Sequence, residues 1–393
     1  MKHKLTELLA VVFLFSACSL FLCAQDEQQE LDLNVMRFRD SAHHWYDISD
    51  EERVINPLPD RPRYDQSEIK KIADNILLFQ KDNGGWAKNY DMQAILSDAQ
   101  RDSVIKDKSV LNTTIDNGAT HSQLTYLAEV YSKTSEAKYK EAFFKGINYL
   151  LKAQYENGGW PQFYPDTSGY SKYITFNDYA MVGVLELFQR VILEMPEYNF
   201  IDDELKQKIV NSFNKGIDCV LKCQIIDNGV KTAWCQQHDN VTFKPQDART
   251  FEKASIANAE SAELVWVLMR IEKPDSAVID AVDSALKWFK DSEIHNIRVD
   301  WIDAEHADFV FHSTDQDRVV VEDSTAPAIW ARFYELGTHR PIFCGRDGIV
   351  KYSMKEIDRD RRTGYGWYTY LPQRIYEIYP EWKKRISGGD SGS

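Results

Sequence analysis

Two short stretches carry residues that could do chemistry together: Thr114-Ile115-Asp116-Asn117-Gly118-Ala119-Thr120 and Thr175-Phe176-Asn177-Asp178-Tyr179-Ala180. Each sets an acid beside an amide, directly before an apolar run of helical spacing. The first run is Leu124, Leu127, Ala128 and Tyr131; the second is Val184, Leu185, Leu187 and Phe188. Asp and Asn start helices well because their side-chain oxygens accept the first free backbone N–H groups, and the spacing predicts an amphipathic helix after each. Asp116 and Asp178, 62 residues apart, are therefore expected at two helix N-termini. Taken singly, each reads as an N-cap. Brought to one rim with Asn117 and Asn177, they offer hard oxygen ligands for a cation such as Ca²⁺. Two facing carboxylates would equally suit the acid/base pair of a glycosidase. The carboxylates alone do not choose between these.

The elements that must position them repeat along the chain. A helical pattern through Ile69, Ile72, Ile76 and Leu77 runs into Gln80-Lys81-Asp82-Asn83-Gly84-Gly85-Trp86. A second, through Tyr149, Leu150 and Leu151, runs into Gln154-Tyr155-Glu156-Asn157-Gly158-Gly159-Trp160. A looser third, Val220-Leu221-Lys222-Cys223-Gln224, runs into Ile225-Ile226-Asp227-Asn228-Gly229. After each comes a connection and a new helix, near Asp116, near Asp178 and near Ser255 to Glu260. A period of this length built from helix, turn and helix is an internal repeat. The expected fold class is all-α, an (α/α)₃ toroid of helical hairpins with a few short strands and long loops lining a cleft. An open solenoid carries the same signature. Past residue 290 the texture turns to strands and irregular loops.

Trp86, Trp160 and Trp234 lie in or just after the repeated turns. They read either as platforms for sugar rings or as indoles that lock the hairpins. Arginines near turns, Arg249, Arg332 and Arg346, are natural clamps for carboxylate groups in an otherwise acidic chain.

Composition narrows the field. Net charge is −14 over 393 residues, which argues against broad nucleic-acid binding but leaves an anionic sugar open. No P-loop, Ser-His-Asp spacing or cysteine zinc pattern occurs. Met1-Lys2-His3-Lys4 followed by an apolar run to about Leu22 reads as a signal peptide, 1–24. The protein is thus expected to be exported, periplasmic or secreted, with lipid attachment at Cys18 as the alternative end. An irregular lead-in, 25–60, precedes one catalytic domain, 61–385, and a polar tail, 386–393. The remaining cysteines, 219, 223, 235 and 344, are too few for a disulfide scaffold, and Cys219 with Cys223 reads as a pair of small core residues.

The ordered motifs from Gln80 through Trp86 and Lys88-Asn89, Thr114 to Thr120, Gly158 to Gln162, Phe176 to Asp178, Trp234 to Asp239, Pro245 to Arg249 and Arg340 to Gly348 resemble the family-10 pectate lyases over about residues 65–375. The resemblance implies the toroid and Ca²⁺-dependent β-elimination of polygalacturonate, giving unsaturated oligogalacturonides. It further implies Asp116 and Asp178 as Ca²⁺ ligands, Arg249 as the base at C5, and Asn117, Arg332 and Arg346 as residues for the substrate; Trp160, read from its turn as a sugar platform, and Lys88 are expected to join them. The neutralisation of a uronate carboxylate by a metal and arginines is what makes its C5 proton removable. Partners outside pectin are not implied, and a monomer is expected.

Overall fold

The computed structural model describes Leu33 and residues 54–388. The signal-peptide segment, Cys18, most of the lead-in and the last five residues lie outside the described residues. Among the described residues there are ten α-helices: α1 (Ile69–Phe79), α2 (Asp98–Lys106), α3 (His121–Thr134), α4 (Ala137–Ala153), α5 (Ala180–Ile192), α6 (Asp203–Cys223), α7 (Asn258–Met269), α8 (Ser276–Asp291), α9 (Arg359–Thr363) and α10 (Leu371–Gly388). Helices α3/α4, α5/α6 and α7/α8 are antiparallel hairpins. They stack in chain order, α3 on α5 on α7 in one row and α4 on α6 on α8 in the other. Helix α1 packs on α3 and α4 at one end, and α10 on α7 and α8 at the other. Among the described residues no helix is long and apolar enough to cross a membrane.

The middle row is the drier one. In α5 nearly every residue from Ala180 to Gln189 is buried, whereas α6 buries only one stripe, including Ile209, Phe213, Ile217 and Val220. A helix apolar all round belongs inside, and an amphipathic one outside.

The repeat is explained by three equivalent locks. Gln80 Nε2 donates to Gly84 O and to Ala142 O of α4, both at 2.9 Å. Gln154 does the same to Gly158 O and to Ser212 O of α6, and Gln224 to Thr232 O and Ala281 O of α8. Each glutamine thus ties a helix end and its turn to the next outer helix through buried hydrogen bonds that would be costly to leave unmade. The indoles complete the lock: Trp86, Trp160 and Trp234 donate to the carbonyls of Ile76, Leu150 and Val220 at 2.8, 2.9 and 2.7 Å. All three have no exposed surface. The third copy reaches the same end without a Gly-Gly-Trp turn, through a tight hairpin pairing Ile226–Asp227 with Val230–Lys231. Glycine is required where the outer helix passes the indole, since a Cβ on Gly216 would lie 2.8 Å from Leu185 and 3.1 Å from Trp160.

Short two-stranded sheets fix the loops above the helices. Residues 174–175 pair with 237–238, 255–257 with 333–335, and 330–331 with 368–369. The largest pairs Ile297–Asp308 with Ser313–Glu322, which accounts for the strand-like texture past residue 290. A second apolar cluster, Phe251, Phe333, Phe343, Met354 and Trp367, holds these loops together. The four cysteines are free and buried, so Cys219 and Cys223 are core residues.

Candidate active site

Asp116 and Asp178 do not cap helices. Each belongs to a single 3₁₀ turn, 116–118 and 177–179, ahead of α3 and α5, and no side-chain cap is made. The reason is in the backbone: Asn117 (φ 50°) and Asp178 (φ 47°) are left-handed, a conformation that Asn and Asp adopt more readily than other non-glycine residues. The two turns are therefore structural equivalents with acid and amide exchanged, Asp116 matching Asn177 and Asn117 matching Asp178. They pack against one another. The left-handed position carries the amide in one turn and the acid in the other.

Hydrogen bonds hold both turns in place. Asp116 N donates to Thr114 Oγ1 at 3.0 Å, and Thr114 in turn donates to Gln162 O. Phe176 N and Asn177 N both donate to Gln236 O, at 2.8 and 3.2 Å. The Asp116 carboxylate is buried; Lys88 Nζ bonds its Oδ2, and its Oδ1 has no hydrogen-bond partner. Asn117 Nδ2 donates to Asn89 Oδ1 at 3.1 Å. The Asp178 carboxylate accepts from Asn177 Nδ2 at 2.8 Å and lies 3.6 Å from Arg332 Nη2. Burial and the facing charge of Asp116 push its pKa up to about 6, against the pull of Arg332 and Arg249. A carboxylate pushed up by burial and by a neighbouring acid is poorly compensated by the protein, and the pair attracts a cation.

Around this pair stands a wall of cations. Arg332 leaves the strand 330–331 with its N–H on Trp367 O and its C=O accepting from Asn258 N. Its Nε and Nη2 both bond Glu260 Oε1, Nη2 also bonds Asn177 Oδ1 at 3.0 Å, and the guanidinium stacks 4.6 Å from the Tyr365 ring. Arg249 is gripped by the buried Glu252, Nε to Oε2 at 2.8 Å and Nη2 to Oε1 at 2.5 Å. Burial works against its charge, but Glu252 outweighs it and holds the guanidinium well above its ordinary pKa. The Phe251 ring lies between Arg249 and Arg361, 4.9 and 4.7 Å from their guanidinium carbons. Tyr365 Oη donates to Glu252 Oε1 at 2.9 Å and accepts from Gln236 Nε2 at 3.2 Å.

The sequence-derived residues thus separate into groups. Asp116, Asn117 and Lys88 meet on one turn; Asp178, Arg332 and Arg249 share one electrostatic environment. Arg346 is one step out, bonded to Asp360 and 5.0 Å from the Phe311 ring. Trp160 is corrected: its indole is fully buried against Phe188 and Gly216 and presents no face to a sugar. A Gly-Gly-Trp turn gives no hint of which way the ring points, and here the unpaired indole N–H decides it by seeking a carbonyl indoors. Reading of the residues gave no role to Glu252, Glu260, Gln236, Tyr365 or Arg361. Glu260, Gln236 and Tyr365 gave little signal because their partners are distant in sequence, whereas Glu252 lies three residues from Arg249 and could have been read from that spacing.

A cation at Asp116 and Asp178 fits the donor set. Asp116 Oδ1 is buried without a hydrogen-bond partner, and Asp178 is short of compensating charge. Among the described residues no cluster of three or more acidic, histidine or cysteine ligands occurs, so the protein would supply two carboxylates, and a substrate and water the remainder.

A structure of a family 10 polysaccharide lyase from Cellvibrio cellulosa matches with a TM-score of 0.67 and 28% identity, over 81% of this chain and 96% of that one. A mutant of family 10 polysaccharide lyase from the same organism, in complex with trigalacturonic acid, matches with a TM-score of 0.66 and 28% identity, over 80% and 96%. No curated protein matches. The sequence pattern of the family described as pectic acid lyase covers residues 80–376, from the first Gln lock into α10 and across every site residue named above. By that match over most of its length, the chain belongs to the pectic acid lyase family.

Proposed function

We propose that this protein is a pectate lyase that cleaves polygalacturonate by Ca²⁺-dependent β-elimination. The observation that carries the reading is the pair of guanidinium groups, Arg332 and Arg249, that buried glutamates hold beside Asp178. Arg332, Arg249 and Arg361 crowd one side of the site. Glycoside hydrolysis passes through a cationic, oxocarbenium-like transition state, which such a wall disfavours. Elimination from a uronate builds negative charge on the carboxylate next to C5, which the same wall stabilises. A site of this charge favours the lyase over the hydrolase. The trisaccharide bound by the Cellvibrio relative supports an oligogalacturonate as substrate.

In this mechanism Arg332 and Asn117 orient the uronate, and Arg249 takes the C5 proton. The electron pair forms the C4=C5 double bond, the C4–O bond to the leaving sugar breaks, and that oxygen gains a proton from water. Asp116 and Asp178 would hold Ca²⁺, which when bound neutralises the substrate carboxylate and acidifies C5. Arg249 begins as a charged partner of Glu252, so before it acts as a base it must turn from Glu252 toward the substrate and lose one proton to water, a loss favoured by the neighbouring charge of Arg361. We further propose that the stacked hairpins close into the (α/α)₃ toroid and that residues 1–24 direct export.

The test is ultraviolet absorbance of polygalacturonate incubated with the protein, with Ca²⁺ and with chelator. Absorbance rising only with Ca²⁺, and lost in Arg249→Ala and Asp178→Ala, supports the lyase. New reducing ends without absorbance would mean hydrolysis, with Asp116 and Asp178 as acid and base.

A further inference from the structure

The long hairpin 297–308/313–322 stands over the loop cluster with no residue of either strand buried. Its tip and strands are anchored: Arg359 of α9 donates to Glu305 O, Gln316 O and Thr314 O at 2.6, 3.0 and 3.2 Å. On this fixed arm Trp301 is 50% exposed, although the fully buried tryptophans show how readily the fold hides indoles. Arg318 is its direct cross-strand partner, so both side chains point to the same face. The guanidinium carbon lies 5.1 Å from the indole centre. Val299, two residues before Trp301 and hence on that face, packs on the apolar cluster of Phe251, Phe333 and Trp367.

Arg318 has an unusual inventory. Its Nη1 donates to Tyr365 O at 2.8 Å, its Nε is buried without a hydrogen bond, and among the described residues no carboxylate pairs with it. Of the neighbouring acids, Asp317 and Asp300 face the other way and are engaged, Asp317 with Arg362 at 2.6 Å and Asp300 with Arg298 at 2.8 Å, while the exposed Asp303, two residues past Trp301, shares its face. An arginine left without an anion beside an exposed indole has the two parts that recognise a uronic acid. The ring supplies a flat apolar surface for sugar C–H groups, and the guanidinium charge attracts a carboxylate. Tyr365 links the arm to the site, since its ring lies under Arg332 and its hydroxyl holds Glu252.

We propose that Trp301 and Arg318 form a distal subsite that binds one galacturonate unit of a chain extending beyond the unit held at Asp178. This rests on the pectate-lyase reading for its choice of substrate. The subsite contributes to binding of long chains, and it acts on KM because its contacts are the same in ground and transition states.

Native gels containing polygalacturonate test it without requiring turnover. Trp301→Ala and Arg318→Gln should each weaken retardation, with an apparent affinity loss of roughly fivefold. Ile302→Ala, which removes an exposed side chain on the opposite face of the same strand, should run as the native protein. In the absorbance assay the two variants should raise KM for polymer more than for trigalacturonate, and Arg318→Lys should recover part of the loss. Unchanged retardation of both variants, or equal losses on trimer and polymer, would overturn the subsite. So would retardation by a neutral glucan equal to that by polygalacturonate. If no absorbing product forms yet retardation falls in both variants, the lyase reading fails and the subsite stands. If product forms and retardation is unmoved, the reverse holds.

Discussion

Glu260 is the residue whose replacement most directly tests the charge arrangement. It is buried, it accepts from Arg332 Nε and Nη2 and from Gln236 Nε2 on one oxygen, and its other oxygen has no partner. Glu260→Gln keeps the shape and removes one charge. Removing one member of a buried pair costs about 3–5 kcal/mol because the remaining charge stays buried. Here Asp178, already 3.6 Å from Arg332 Nη2, offers partial compensation, so a loss of about 2–4 kcal/mol is expected. For a domain of this size that is roughly 4–8 °C in Tm. The functional consequence follows from the same move. Arg332, released from Glu260, swings onto Asp178 and favours its ionised form, so Asp178 titrates below its native value of about 6. The acid limb of kcat/KM, followed by product absorbance, should therefore move down by about one pH unit. The plateau should fall about tenfold, because Arg332 then competes with Ca²⁺ for Asp178. A limb that stays in place with Tm shifted by less than 2 °C (within the roughly 2 °C expected per kcal/mol) would refute the claim that Glu260 keeps Arg332 away from Asp178. A fall in Tm with an unmoved limb would leave the buried pair intact as a stabiliser and refute its coupling to the site.

Other consequences are simpler. With Asp178 titrating at about 6, protons and Ca²⁺ compete for it, and the Ca²⁺ concentration for half-activation should rise about tenfold per pH unit below that value; a requirement flat from pH 7 to 5 would remove Asp178 as a ligand. Glu263 on α7 is held neutral, its pKa raised to about 8 by burial and then by Glu260. An ionised glutamate is thus disfavoured in the fold, and the penalty grows from pH 4.5 upward and is complete above 8. Glu263→Gln should therefore stabilise the protein by about 1–3 kcal/mol at pH 9, with the gain vanishing toward pH 4.5, as measured by denaturant unfolding. Trp160→Ala should cost about 3–5 kcal/mol through the cavity it opens, while the KM of the folded fraction for polygalacturonate stays unchanged; a selective rise in KM would restore Trp160 to the substrate.

The sequence by itself determined the helical hairpins, their repeat and the two acid-amide turns, because these depend on local periodicity and on turn chemistry that recurs at fixed offsets. Gln80, Gln154 and Gln224 were visible as a repeat for that reason. What they bond, the next outer helix, was not, since the partner carbonyls lie about sixty residues further along. Asp116 and Asp178 were legible as a pair, but the helix N-caps expected of them gave way to left-handed 3₁₀ turns, because the backbone at 117 and 178 is set by the loops that pair with Gln162 and Gln236. Only the tertiary structure decided that Trp160 is a lock and Trp301 an exposed surface: composition cannot tell an indole whose N–H finds a buried carbonyl from one that stays outside. Only it placed Glu252 and Glu260 behind Arg249 and Arg332. The Arg249–Glu252 pair is local, three residues apart, but the Arg332–Glu260 pair spans 72 residues and depends on where a strand and a helix meet in space, which no spacing along the chain encodes.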